Sequence, residues 1–408
     1  MNELIKQMPE MYMSETLYQK LLYLPEYREE MRKDKETERL MYLEDIYKIY
    51  LPNQMTVEIY SKVYLAILRS LQKKNSRAMV KQQNENYKKI CRMDSNSIIG
   101  GGDSFLIVGN SGIGKSLAIA KAIELATAER IIEQEKPYTK IIPCLNVQCP
   151  FDCSVKGLLL EILRKIDEQL DTQYYRNAHK SGATTDMLIG SISQIAINHI
   201  GLLIVDEIQN VVSHKGGMNL VRMLTQFINN SGISICMVGT PEAEVFFEKE
   251  DYLARRALGL KYTKFPYNDY FKKFCKTVFS YQYVKEKTEI SEDMTEWLYE
   301  HSGGILAHVI TILHDAQEIA ILTGKEILNM ETMNEAYRQR MSSIHSYIQA
   351  PVTLKEKRQV KKKAEEQVKE SITKDGFSIF ETMMIAKREN QDVIGLLKEH
   401  IRITEVSI

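Results

Sequence analysis

No run of apolar residues in this chain approaches the roughly 18 that a membrane-crossing helix requires, and no apolar run follows a basic start. Neither a membrane span nor a signal peptide is therefore expected, and no membrane partner. Neither charge is in excess: Lys+Arg and Asp+Glu both number 54, for a formal net charge of zero. That balance removes any argument from bulk charge but excludes nothing, because a local basic patch suffices to bind nucleic acid. Cysteine is sparse, with six unevenly scattered residues in 408, and reads as free thiols in a reducing cytosol. Cys144, Cys149 and Cys153 lie close together. Zinc sites favour paired cysteines with a fourth ligand, and no second pair or nearby histidine completes the set. Small buried residues at a strand end are expected there instead.

What is present is a phosphate-cradling loop. The apolar run Phe105-Leu106-Ile107-Val108 leads into Gly109-Asn110-Ser111-Gly112-Ile113-Gly114-Lys115-Ser116, and helix formers continue from Leu117 to Ile123. Strand, glycine-rich turn and helix fit the pattern G-x-x-x-x-G-K-[ST]. The glycines let backbone N–H groups turn toward phosphate oxygens, and the helix N-terminus adds a favourable dipole. Lys115 is placed to reach the β- and γ-phosphates, and Ser116 to offer its hydroxyl to Mg²⁺. ATP and Mg²⁺ are the expected ligands, bound by residues 109 to 117 together with Asp206.

The rest of the chain is organised around that loop. Residues 1–96 are poor in glycine, rich in Tyr, Met, Leu, Lys and Glu, and expected to be helical. Helical tracts at Tyr42–Tyr50 and Val57–Leu68 are separated by Pro52-Asn53. Residues 97–265 read as α/β. Strands are expected at 105–108, 141–147, 201–206 and 233–239, with helices at 154–170, 186–198 and 217–230 between them. Alternation of this kind implies a parallel sheet with its chemistry at the strands' carboxyl ends. Residues 266–350 form a helical lid, with helices at Tyr270–Val284, Asp293–His301, Leu306–Thr323 and Met330–Ser343. Residues 351–408 are a charged linker and an apolar tail that folds on a partner or as a small helical piece.

Two adjacent carboxylates end the 201–206 strand. Asp206 suits Mg²⁺ placement, and Glu207 suits the base that polarises the attacking water. Thr240, at the tip of the following strand, is placed either to touch the γ-phosphate or attacking water, or simply to turn the chain before Pro241. Arg255 and Arg256 fit either a trans-acting arginine finger or a surface ion-paired couple, with no preference between the two residues.

The loop, the Val205-Asp206-Glu207 strand end, the Val238-Gly239-Thr240-Pro241-Glu242 strand and the following lid resemble AAA+ ATPases. More narrowly, Cys149-Pro150-Phe151-Asp152-Cys153 with Ser154 to Leu158, the run Asp206-Glu207-Ile208-Gln209-Asn210, and Thr240-Pro241 resemble the TnsC/TniB family, the AAA+ target-selection regulators of Tn7-like transposons. The similarity spans roughly residues 40 to 345. It implies an AAA+ P-loop fold with a helical lid and an N-terminal region that contacts a target-selection protein. It also implies slow hydrolysis of ATP, self-assembly into a ring or helical filament on double-stranded DNA, a C-terminal contact to transposase subunits, and a bacterial cytoplasmic location. Many AAA+ lids carry an arginine in a G-x-x-R context. Here Gly304-Ile305-Leu306-Ala307 lacks it, with His308 adjacent, which points to weak hydrolysis or another lid contact. In the family, a helix and loop between the phosphate loop and the Asp-Glu strand line the DNA path. Lys156, Arg176, Lys180 and Thr184 are the candidates for phosphate contacts, each equally readable as solvated surface. A helicase-loader or initiator-type ATPase, or a nucleotide-gated signalling scaffold without DNA, shares the same ATP site.

Overall fold

The computed structural model describes residues 3–74, 76–90, 104–135, 138–180, 184–213, 215–248 and 259–341. Arg255 and Arg256, the charged linker and the tail lie outside the described residues. The described residues belong to one compact unit, Met1–His345, and a second unit is Ser346–Ile408.

Six strands form one sheet: β1 (Ser104–Gly109), β2 (Ile132–Glu135), β3 (Tyr138–Gln148), β4 (Ile200–Asp206), β5 (Ser234–Gly239) and β6 (Leu260–Tyr262), in the order β2-β3-β4-β5-β1-β6. All neighbours are parallel except β2, which pairs antiparallel with β3 at one edge. The registers Leu145↔Leu203 and Leu203↔Ile235 align the central strands. A parallel sheet is covered on both faces, so its strands are continuous apolar runs. In β4, Leu202, Leu203, Ile204 and Val205 are all fully buried. Alternation sends Leu203, Val205, Ile235 and Met237 to one face, where helices Val155–Leu170, Thr185–His199 and Gly217–Ser231 pack. Leu202, Ile204, Cys236, Val238, Phe105 and Ile107 face the other way, onto helices Lys115–Thr127 and Gln54–Lys73. The mixed α/β architecture with a mostly parallel sheet is as the sequence predicts.

Helix Gln54–Lys73 starts where Asn53 Oδ1 accepts the Thr56 N–H at 3.0 Å, a side-chain cap on an otherwise orphaned donor. Its buried stripe of Ile59, Tyr60, Val63, Ile67 and Leu71 shares a core with Ile119 and Ala122 of the phosphate-loop helix. The expected helical tract at Tyr42–Tyr50 is only a tight 3₁₀ stretch over Leu43–Lys48. Tyr50 bridges to Tyr23 instead, and Leu51, which precedes Pro52, is biased away from helical dihedrals.

After β6 come helices Asp269–Phe279, Glu292–Ser302, Leu306–Leu322 and Met330–Ala336, the last continuing into a wider π turn at Tyr337–Met341. The first is shorter than the expected Tyr270–Val284. The carbonyls of Gln282, Tyr283 and Val284 are taken by the N-terminal segment: Tyr27 Oη donates to the first at 2.9 Å, Arg39 to the second at 2.9 Å and Arg32 Nε to the third at 3.0 Å. Among the described residues no single helix is long and apolar enough to cross a membrane.

Candidate nucleotide site

The carboxyl ends of β1, β4 and β5 bring three loops to one edge of the sheet. After β1 the chain turns through Gly112 (φ +77°) and Gly114 (φ +97°), left-handed conformations that glycine adopts without a steric cost. Ile113 between them is buried and pins the loop to the core, pointing away from the cleft. Helix Lys115–Thr127 follows directly.

A cleft of about 260 Å³ opens there, lined by Ser111, Gly112, Gly114, Lys115, Ser116, Leu117, Asp206, Glu207, Gln209, Gly239, Thr240 and Ala307. Of the nucleotide-site residues expected from the sequence, Gly109, Asn110 and Ile113 are outside this lining, and Ser111, Gly112, Gly114 to Leu117, Asp206, Glu207 and Thr240 are in it. Lys115 Nζ donates to the carbonyls of Gly109 (2.7 Å) and Asn110 (2.9 Å). Burial lowers its pKa, partly offset by the carboxylates of Asp206, Glu207 and Glu242. Ser116 Oγ donates to Asp206 Oδ2 at 3.2 Å, so the hydroxyl and carboxylate assigned to Mg²⁺ are within reach of one another. Two hard oxygen donors side by side beside a phosphate loop fit a small divalent cation.

Glu207 stands just past β4 at φ +57°, with its N–H donating to Asp206 Oδ1 at 2.8 Å. Gln209 Nε2 donates to its carboxylate, and Gln209 Oε1 accepts the Thr240 N–H at 3.3 Å. The carboxyl of Glu242 is held below the usual range, first by the Thr240 side chain and then by a backbone N–H. The sequence contained Gln209 within its quoted motif but gave no sign of its role, which depends on a residue from another strand. Helix Leu306–Leu322 joins the site through its first turn: Ala307 N–H donates to Gly112 O at 3.2 Å. His308 turns aside, with Nδ1 3.2 Å from Ser302 O, and burial lowers its pKa.

A second cleft of about 540 Å³ is lined by residues that include Asn53, Met55, Tyr262, Phe265 and Tyr270. It adjoins the loop at Met55, whose Cε lies 4.0 Å from where a Cβ on Gly114 would stand.

Lys156, Arg176, Lys180 and Thr184 are exposed and do not line the nucleotide cleft. Lys156 lies in the first turn of helix Val155–Leu170, and Arg176 and Lys180 lie on helix Tyr174–Lys180. Thr184 caps the next helix, its hydroxyl oxygen accepting the Met187 N–H at 3.4 Å. Cys144, Cys149 and Cys153 are buried. Burial pushes the Cys149 thiol up to about 12, with Cys153 adding to the shift. One group of metal-ligating side chains, His314, Asp315 and Glu318, gathers among the described residues. Arg340 already occupies its cationic position, 3.1 Å from Asp315 and paired with Glu318.

Residues 98–247 match the family model described as an AAA domain. No curated protein matches the chain. Among solved structures, the chain is similar to the ORC2 protein of Aeropyrum pernix in ADPNP-ADP complexes, at 16% identity over 65% of this chain and 68% of that one, TM-score 0.38. It is also similar to the ORC1 protein of Aeropyrum pernix in complex with DNA, at 14% identity, coverage of 68% and 69%, TM-score 0.40. A third is domain III of the Thermotoga maritima replication initiation protein DnaA, at 13% identity, coverage of 65% and 94%, TM-score 0.34.

Proposed function

We propose that this chain is an ATPase that binds and hydrolyses ATP in the cleft at the carboxyl ends of β1, β4 and β5. The observation that carries this reading is convergence. A phosphate loop with its lysine, a serine–aspartate oxygen pair and an exposed carboxylate on a left-handed turn all face one cavity. The N–H groups of the loop and Lys115 hold the phosphates. Ser116 and Asp206 would hold Mg²⁺, which when bound would supply neutralisation of charge on the phosphate oxygens. Glu207 takes the proton of the attacking water. Thr240 contacts the γ-phosphate end, and the second cleft, bounded by Met55 and Tyr262, takes the base. One of Arg255 and Arg256 serves the site of a neighbouring copy.

The wider reading rests on the sequence resemblance to the TnsC/TniB family. ATP-bound copies assemble as a ring or filament on double-stranded DNA, held by phosphate contacts from Lys156, Arg176, Lys180 and Thr184. The assembly connects a target-selection protein, met by the N-terminal region, to transposase subunits, met by the C-terminal tail, and hydrolysis dismantles it. Electron microscopy with a non-hydrolysable ATP analogue, with and without duplex DNA, tests this. Rings or filaments only when both are present support it. Oligomers indifferent to DNA favour a scaffold, and loading of a helicase without stimulation of transposition favours an initiator-type role.

A further inference from the structure

Glu207 has an exposed side chain on a turn, where a carboxylate is free to sample many directions unless something holds it. Gln209 supplies the hold. Its Nε2 donates to the Glu207 carboxylate, and its Oε1 accepts the Thr240 N–H at 3.3 Å. The chemistry fixes the orientation of the amide. A backbone N–H only donates and a carboxylate only accepts, so the side chain between them needs one acceptor and one donor end.

The surrounding chain is shaped for this bridge. Ile208 is fully buried, and its N–H donates to Val238 O at 2.9 Å, which stitches the turn to β5. Val212 N–H donates to Gln209 O at 2.9 Å, and Asn210 Nδ2 to Cys149 O at 3.0 Å. Gly239 leaves room for the amide: a Cβ there would stand 3.0 Å from Gln209 Oε1 and 2.9 Å from Ile208 Cγ2. Gln209, Glu207, Gly239 and Thr240 all line the cleft that holds Lys115 and Ser116.

We propose that Gln209 is a positioning residue: it aims Glu207 into the cleft and couples that aim to the tip of β5 at Thr240. This rests on the ATPase reading above. In hydrolysis the water oxygen bonds to the γ-phosphorus, and the bond from that phosphorus to the β,γ-bridging oxygen breaks. ADP leaves with the electron pair, and Glu207 takes the water's proton. Gln209 gains and loses nothing; it donates a hydrogen bond to the Glu207 carboxylate and so sets its direction.

The test uses the full chain, with steady-state ATPase rates and equilibrium binding of a fluorescent ATP analogue. Gln209→Ala lowers kcat by about 10- to 100-fold, the loss that a misdirected base produces, while KM and analogue affinity stay within about threefold. Gln209→Glu sets a second carboxylate beside Glu207. Repulsion between the two like charges turns the Glu207 carboxylate out of its aim, so kcat falls as it does for Gln209→Ala while analogue affinity is kept within about threefold. In a Glu207→Gln background, adding Gln209→Ala costs little further rate, because the pair acts as one unit. A kcat for Gln209→Ala within about twofold of wild type, a rise in kcat, or loss of analogue binding in step with kcat overturns the proposal. If Glu207→Gln itself hydrolyses ATP at the wild-type rate, the assignment of the base fails first. If Glu207→Gln is impaired and Gln209→Ala is not, only the positioning role falls.

Discussion

Replacing Arg39 with methionine tests whether a buried ion pair fastens the N-terminal segment to the C-terminal helices of the same unit. Arg39 is fully buried, and its Nη1 and Nη2 donate to Glu326 Oε2 and Oε1 at 2.7 Å each. Its remaining donors reach Tyr283 O at 2.9 Å and Asp34 O at 3.1 Å. Arg39→Met keeps much of the packing volume and removes the charge. Glu326, with 11% of its side chain exposed, then faces only Lys285, whose Nζ is 3.3 Å away. Breaking one side of a buried pair costs about 3–5 kcal/mol, and the surviving lysine places this case near 3. For a unit of 345 residues, at about 2 cal/mol/K of unfolding entropy per residue, that loss is a fall of about 4 °C in Tm. The pH dependence gives a second reading. Burial alone would raise the Glu326 pKa, but hydrogen bonds from Arg39 and Lys285 outweigh it and hold the pKa below the usual carboxylate range. A depressed folded pKa gives stability that is present above the unfolded value, near 4.3, and lost as pH falls through the folded value. Without Arg39 the balance tips toward burial and the folded pKa rises. The variant's deficit is therefore widest near neutral pH and narrows below about pH 4. Differential scanning fluorimetry across pH measures both effects. A Tm loss under about 1 °C at neutral pH, or a deficit that does not narrow in acid, refutes the reasoning.

Three further outcomes can be measured. Gly201→Ala puts a Cβ 2.4 Å from Pro143 O, between paired strands β3 and β4. Backbone must shift, and chemical denaturation should show a loss of about 1–3 kcal/mol. The five described cysteines are buried, and the Cys149 thiol is pushed up to about 12. Only thiolate reacts, so in a thiol titration with a chromogenic disulfide at pH 8 these five should react only on unfolding. Rapid reaction of more than one of the six thiols in native protein contradicts this. On the DNA-assembly reading proposed above, DNA affinity should fall steeply with salt, and Lys156→Ala, Arg176→Ala and Lys180→Ala should each reduce the slope of log K against log salt by about one, uniformly across sequences. Unchanged slopes remove those residues from the DNA surface.

The central fold was legible because its strands are buried on both faces, which makes each a short unbroken apolar run next to a helical stretch. The phosphate loop, with its two left-handed glycines and following helix, is likewise a local pattern that sequence displays directly. The edges were harder to see. β2 buries only Ile132 of its four residues, and β6 is three residues long, so neither has a periodic signature. Tyr281–Val284 reads as helix because it continues the preceding helical stretch with no glycine or proline to break it. What decides its conformation is a set of donors from Tyr27, Arg32 and Arg39, some 250 positions away in the chain. Gln209 lay inside a motif quoted from the sequence, yet its partner is the Thr240 N–H on a different strand tip. In both cases a hydrogen bond between distant segments, which no local spacing encodes, fixes the role of the residue.

The most direct test of the account is calorimetric titration of ATP with Mg²⁺ into the full chain and into Lys115→Ala, followed by phosphate-release measurements on both. Saturable binding and release by the wild type, with binding weakened about a hundredfold or more and release abolished in the variant, is the result expected from a lysine directed at the phosphates. Equal binding by both proteins, or none by the wild type, contradicts the placement of a nucleotide in this cleft.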